Sequence, residues 1–144
     1  MRGWFRAACP SYADRWNQYR SESHFEASLL YVHLGDFARH IVALLSAGDV
    51  GELAAVCAVI ERLHLEGDAY VQEAATIGLL EGIQNVASHD ETGLDPVVER
   101  LGPVSRSWWR GLEKFCSGEA PAVLPAPDVV NDRLTRRSPL SGKR

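Results

Sequence analysis

Residues 46–69 read SAGDVGELAAVCAVIERLHLEGDA. Two Gly-Asp pairs, Gly48-Asp49 and Gly67-Asp68, bracket an apolar run. A glycine just past a periodic segment ends a helix, and an aspartate after it can cap the next. Glu52 stands three residues after Asp49, the spacing of a capping box. Between the pairs, Leu53, Val56, Cys57, Ile60 and Leu63 recur at steps of three and one, which lines a single helix face. Helix, short turn, helix, short turn is the grammar of antiparallel helical hairpins, and of a short HEAT-like stack.

The same reading extends in both directions. Upstream, Pro10 opens a helix near Ser11 on which Tyr12, Trp16 and Tyr19 form an aromatic stripe. The spacing predicts a second helix over 23–47, with Leu30, Val32, Leu34, Phe37, Ile41 and Leu44 as its buried face. Downstream, a helix over 69–87 carries Gly78 and Gly82. Each costs about 1 kcal/mol relative to alanine, and their spacing places both where another helix can approach closely. SHDETG, residues 88–93, reads as a loop, then come short helices over 95–100 and 104–116, separated by Gly102-Pro103. In Glu66-Gly67-Asp68, Gly67 is expected to be left-handed and Asp68 to cap the helix that follows. The expected fold is all-α: five or six helices in antiparallel hairpins, in one domain over 1–117. Residues 118–144, proline-rich and basic, read as a disordered tail.

Composition narrows the function. The 144 residues fit one domain. Residues 1–117 hold 10 basic and 16 acidic residues, a net charge of −6, which argues against nucleic acid and is compatible with a basic protein partner. Three cysteines with no CxxC spacing argue against a disulfide framework or a structural zinc site and fit a cytoplasmic location. No run approaches a membrane span.

Several stretches are familiar together: FARHIVALLSAGD, VIERLHLEGDAYVQEAATIGLLEGIQN and LGPVSRSWW. They resemble a family of small bacterial all-helical proteins of unassigned function, over about residues 27–117. Proteins of this build are similar to immunity proteins encoded beside bacterial toxins. The resemblance implies a non-enzymatic, immunity- or antitoxin-like inhibitor that presents an acidic face, and it brings no catalytic residues.

Candidate sites follow from residue type and spacing. His33, Asp36 and His40 share one helix face, and Glu61 with His64 makes a Glu-x-x-His on the next helix. A metal-dependent helical enzyme using these five residues is the alternative to the binding module. Only one Glu-x-x-His motif is present, which favours helix-end roles for the histidines and no cofactor. Glu81, among apolar neighbours, reads as a structural tether to Arg39 or Arg62, with Gln84 and Asn85 as further polar positions. Trp108 and Trp109 point about 100° apart on a helix, so one ring fills the core and the other lies at its edge. Trp109, with Glu66, Asp68 and Glu73, is the candidate partner-binding set, and a homodimer is a further possibility. Ser105 is expected to cap the last helix, and Arg106, Arg110 and Lys114 to form a basic ridge that pairs with acids such as Glu113.

Overall fold

The structure, a computed structural model, describes residues 2–21 and 30–126. Among these there is no strand. The elements are α1 (Arg2–Ala8), α2 (Tyr12–Arg20), α3 (Leu30–Ser46), α4 (Leu53–Glu66), α5 (Ala69–Glu73), a π-helix (Ala74–Leu80), α6 (Glu81–Asp90), α7 (Asp95–Arg100) and α8 (Pro103–Cys116). Helix α1 was not expected, because seven residues are too few to show a period. It is anchored by Phe5, whose ring lies 4.9 Å from that of Phe37. Residues 23–29 of the expected second helix lie outside the described residues.

The turns confirm the punctuation and correct its details. Gly48 ends α3 in a left-handed conformation, φ 75°. Asp68 caps α5, with Val71 N–H donating to Oδ1 over 2.9 Å. Gly67 is not left-handed: its φ is −78° and its ψ 156°. It is glycine for space, since a Cβ there would lie 2.5 Å from the Leu63 carbonyl oxygen. The capping box at Asp49 does not form. Asp49 Oδ1 accepts from Gly51 N–H in a tight turn, and Glu52 reaches across to accept from Ser11 N–H. The expected loop at 88–93 is helical as far as Asp90, and Glu91 then turns left-handed at φ 53°. A bond from Thr92 N–H to the Ala87 carbonyl, 3.0 Å, closes this end in Schellman fashion.

The segment from Ala69 to Asp90 is one unbroken helix with a widened interior. It lies along α3, and its glycines are where the two meet. A Cβ on Gly78 would lie 2.7 Å from Leu34 Cδ1, and one on Gly82 3.3 Å from Ala38 Cβ. The core is continuous: Leu34, Phe37 and Ile41 of α3, the whole predicted face of α4, Leu79, Leu80 and Ile83, and Trp109 and Leu112 of α8. Val32, expected on the buried face of α3, is exposed, and His33, Asp36 and Val42 point inward instead. Tyr12, Trp16 and Tyr19 do pack as a stripe, against His33 and Phe37. Nor does the tail begin where expected: residues 119–126 lie on α8, with Ala126 buried. Residues 127–144 lie outside the described residues.

Candidate functional site

A polar network inside the bundle joins α4, the π-helix and α8. Glu61 Oε2 accepts from Val104 N–H over 3.1 Å, and Oε1 accepts from Ser105 N–H over 2.8 Å. The Ser105 hydroxyl also donates to Oε1, at 2.7 Å. Glu61 therefore caps α8 from a neighbouring helix, and Ser105 is not the cap. Gly102 makes the approach possible, because a Cβ there would lie 2.4 Å from Glu61 Cδ. His64 completes the network, with Nδ1 2.9 Å from Ser105 Oγ and Nε2 2.9 Å from Thr76 Oγ1. Since Ser105 gives its proton to a carboxylate, it accepts from Nδ1, while the Thr76 hydroxyl beside Nε2 also donates to the Gln72 carbonyl over 3.1 Å. Burial pushes the His64 pKa below the usual imidazole value, with Glu61 acting in the opposite direction.

The Trp108 ring lies nearly parallel to that of His64, with centroids 6.4 Å apart. Its outer side forms one wall of a cleft of about 370 Å³. The rest of the lining comes from the α5–π segment, through Ala69, Gln72, Glu73, Thr76 and Ile77, and from Val123. The π-helix thus places Thr76 so that it touches His64 within and borders the cleft without. Such wide turns recur at functional sites. At the rim, Tyr31 O–H donates to Glu73 Oε1 over 3.4 Å. Burial and then Glu73 raise the Tyr31 pKa, with nearby Tyr70 adding to the shift. Tyr70 itself is 57% exposed. The cleft lining thus holds one aromatic ring, Trp108, and one carboxylate, Glu73, which Tyr31 bonds.

The five candidate metal ligands are not brought together, and no cluster of three metal-ligating side chains occurs among the described residues. Glu61 and His64 belong to the α8 network. On α3, Asp36 accepts from Tyr12 O–H over 2.7 Å and pairs with Arg15 over 3.0 Å. Burial raises its pKa, but the bonds from Arg15 and Tyr12 outweigh that and hold it low. His33 meets Tyr19 O–H at 3.1 Å. His40 Nε2 meets Ser11 Oγ at 2.9 Å, where Ser11 also bonds Glu52. Neither serine–histidine contact is a nucleophile pair, because each hydroxyl proton is directed at a carboxylate and Ser105 is fully buried.

Other expectations sort similarly. Trp109 is 1% exposed and is the core ring, so it offers no surface to a partner; Trp108 is the edge ring. Glu66 pairs with Arg62 at the surface over 3.0 Å, Asp68 is held by its helix cap, and Glu73 lies at the cleft. Glu81 is half-buried without a bond to Arg39 or Arg62 among the described residues. Gln84 Nε2 donates to the Trp109 carbonyl over 3.5 Å, and Asn85 is exposed. In the basic ridge, Arg110 pairs with Glu113 over 2.8 Å, whereas Arg106 bonds carbonyls at the end of α7. Tyr31, Tyr70, Gln72, Thr76 and Trp108 were not singled out as site residues beforehand. Of these, Thr76, a hydroxyl inside an apolar run, was the one with a sequence signal.

The chain is thus an all-α protein domain with a cleft between Trp108 of α8 and the α5–π segment. It belongs to the family described as Domain of unknown function (DUF7674), which matches residues 3–117. The match includes the N-terminal segment left outside the resemblance drawn above, in keeping with the packing of Phe5 and Tyr12 in the core. No curated protein and no solved structure matches the chain. No helix of the described residues is long and apolar enough to cross a membrane.

Proposed function

We propose that this chain is a non-enzymatic protein-binding module whose partner docks on the cleft between the α5–π segment and α8. The observation that carries the reading is the company Trp108 keeps. It lines a cleft with Ile77, Gln72 and Glu73, and Glu73 is bonded to Tyr31 beside the exposed Tyr70. Aromatic rings around a partly apolar depression are what protein interfaces use as anchors. The cleft lining includes Glu73 and no basic residue, and the domain carries net negative charge. Both favour a partner with a basic, apolar surface. In its finer form the reading is a bacterial cytosolic immunity-like inhibitor, its helices paired as antiparallel hairpins, that covers such a partner. The polar clusters support it too, since each caps or ties helices in a way that needs no substrate.

The test is capture from a lysate of the protein's own organism, with the wild type and a Tyr70→Ala/Glu73→Lys variant side by side. The reading expects one stoichiometric polypeptide on the wild type, lost from the variant. Identical capture by both sets the cleft aside. A solution mass of two chains with nothing captured redirects the reading to self-association.

A further inference from the structure

Beyond α8 the chain turns at Gly118, φ 83°, and runs back along the helix it has just left. Two reciprocal bonds hold it. Ala126 N–H donates to the Ser107 carbonyl over 2.9 Å, and Ser107 Oγ donates to the Ala126 carbonyl over 2.9 Å. Just before these bonds the strap crosses α8 at Gly111, where a Cβ would lie 1.7 Å from the Leu124 carbonyl oxygen. Val123 turns into the cleft, Leu124 faces solvent and Ala126 is buried. Pro121 and Pro125 keep such a segment out of helix and favour an extended conformation. Beyond the turn, where Glu119 and Ala120 N–H donate to the Lys114 carbonyl, the fixation is slight: the two bonds at Ala126, the Val123 side chain against the core and one buried methyl.

We propose that α8 and the π-helix form a docking track for an extended apolar peptide. Val123–Ala126 fills this track in cis, and a partner's segment of the same pattern takes the strap's place. That pattern is an apolar residue, an outward-facing residue, a proline and an alanine-sized residue. The second half of the proposal rests on the binding-module reading; the first half does not. Extended segments with proline dock in aromatic-lined grooves because little conformational freedom remains to be lost.

The probe is a fluorescently labelled peptide of residues 119–126, titrated against full-length protein and followed by anisotropy. Ala126→Asp expels the strap from the track, and Val123→Asp does the same independently. Each is expected to bind the peptide at least tenfold more tightly than the wild type, whose track is occupied. Adding Gly111→Val to either should abolish binding, while circular dichroism reports an unchanged helix content. Equal binding by the wild type and both strap variants overturns the proposal, as does binding that survives Gly111→Val. A captured partner that the peptide does not displace sinks the exchange but leaves the binding-module reading standing. Peptide binding with no partner captured does the reverse.

Discussion

Glu61 does from a neighbouring helix what a cap residue does within its own. It accepts from two orphan amides at the start of α8 and from the Ser105 hydroxyl. Replacing it with alanine leaves buried donors unsatisfied, and Glu61→Ala is expected to lower stability by about 2–3 kcal/mol, read as a fall in the urea midpoint. Glu61→Gln should recover part of that loss. Unchanged stability in Glu61→Ala would falsify the cap. His64 makes the network pH-sensitive. Burial lowers its folded-state pKa below the unfolded value of about 6.5. The unfolded chain therefore binds the proton first. The contribution is complete above about pH 6.5 and is lost as pH falls below it. His40 shifts in the same direction, from burial and then Arg15. The midpoint of the wild type should fall between pH 7.5 and 5.5, and His64→Gln should show a shallower slope over the same range. Parallel slopes would remove His64 from this role. Glu52 belongs to a lower window: burial raises its pKa, the bonds from Ser11 outweigh that, and its contribution is lost only as pH falls below the ordinary carboxylate range.

At the scale of the element, the helices were legible because their signals are local. Gly48, Asp68 and the steps of the α4 face each act within a turn or two, and Gly78 and Gly82 marked where another helix would press, which in the structure is α3. What was not legible depends on contacts between elements. Glu52 and Glu61 look like helix-start and metal-ligand residues in sequence, yet each is committed to an amide on another helix. The length of α6 was set by Glu91 turning left-handed, which a residue so rarely left-handed does not announce. Gly67 supplies a test. Its backbone is open to any residue, so Gly67→Ala should destabilise only through contacts with the Leu63 carbonyl and the Val71 side chain, by about 1–2 kcal/mol. A neutral result in thermal unfolding would show that the α4–α5 turn can widen. The π-helix itself has no periodic signature, because it shifts the register of a face the sequence shows as one continuous helix.

At the scale of the whole molecule, the acidic character of the domain was plain from composition, but the location of the candidate site was not. The cleft brings together Trp108 from α8, Glu73 from α5 and Val123 from beyond α8, with Tyr31 of α3 bonded to Glu73. Sequence order separates all four. The tryptophan pair shows how close the reading came and where it failed: one core ring and one edge ring were expected, and the side of α8 that faces the π-helix decided which was which. If the partner carries complementary charge, binding should weaken severalfold between 50 and 300 mM salt, because the opposed charges lie at a rim that solvent reaches. The most direct measurement is a calorimetric titration of the captured partner into wild type, Glu73→Lys, and Glu99→Lys, whose carboxylate on α7 is exposed and outside the cleft. The account predicts one-to-one binding, weakened at least tenfold by Glu73→Lys and unchanged by Glu99→Lys. Equal affinities for all three would contradict it.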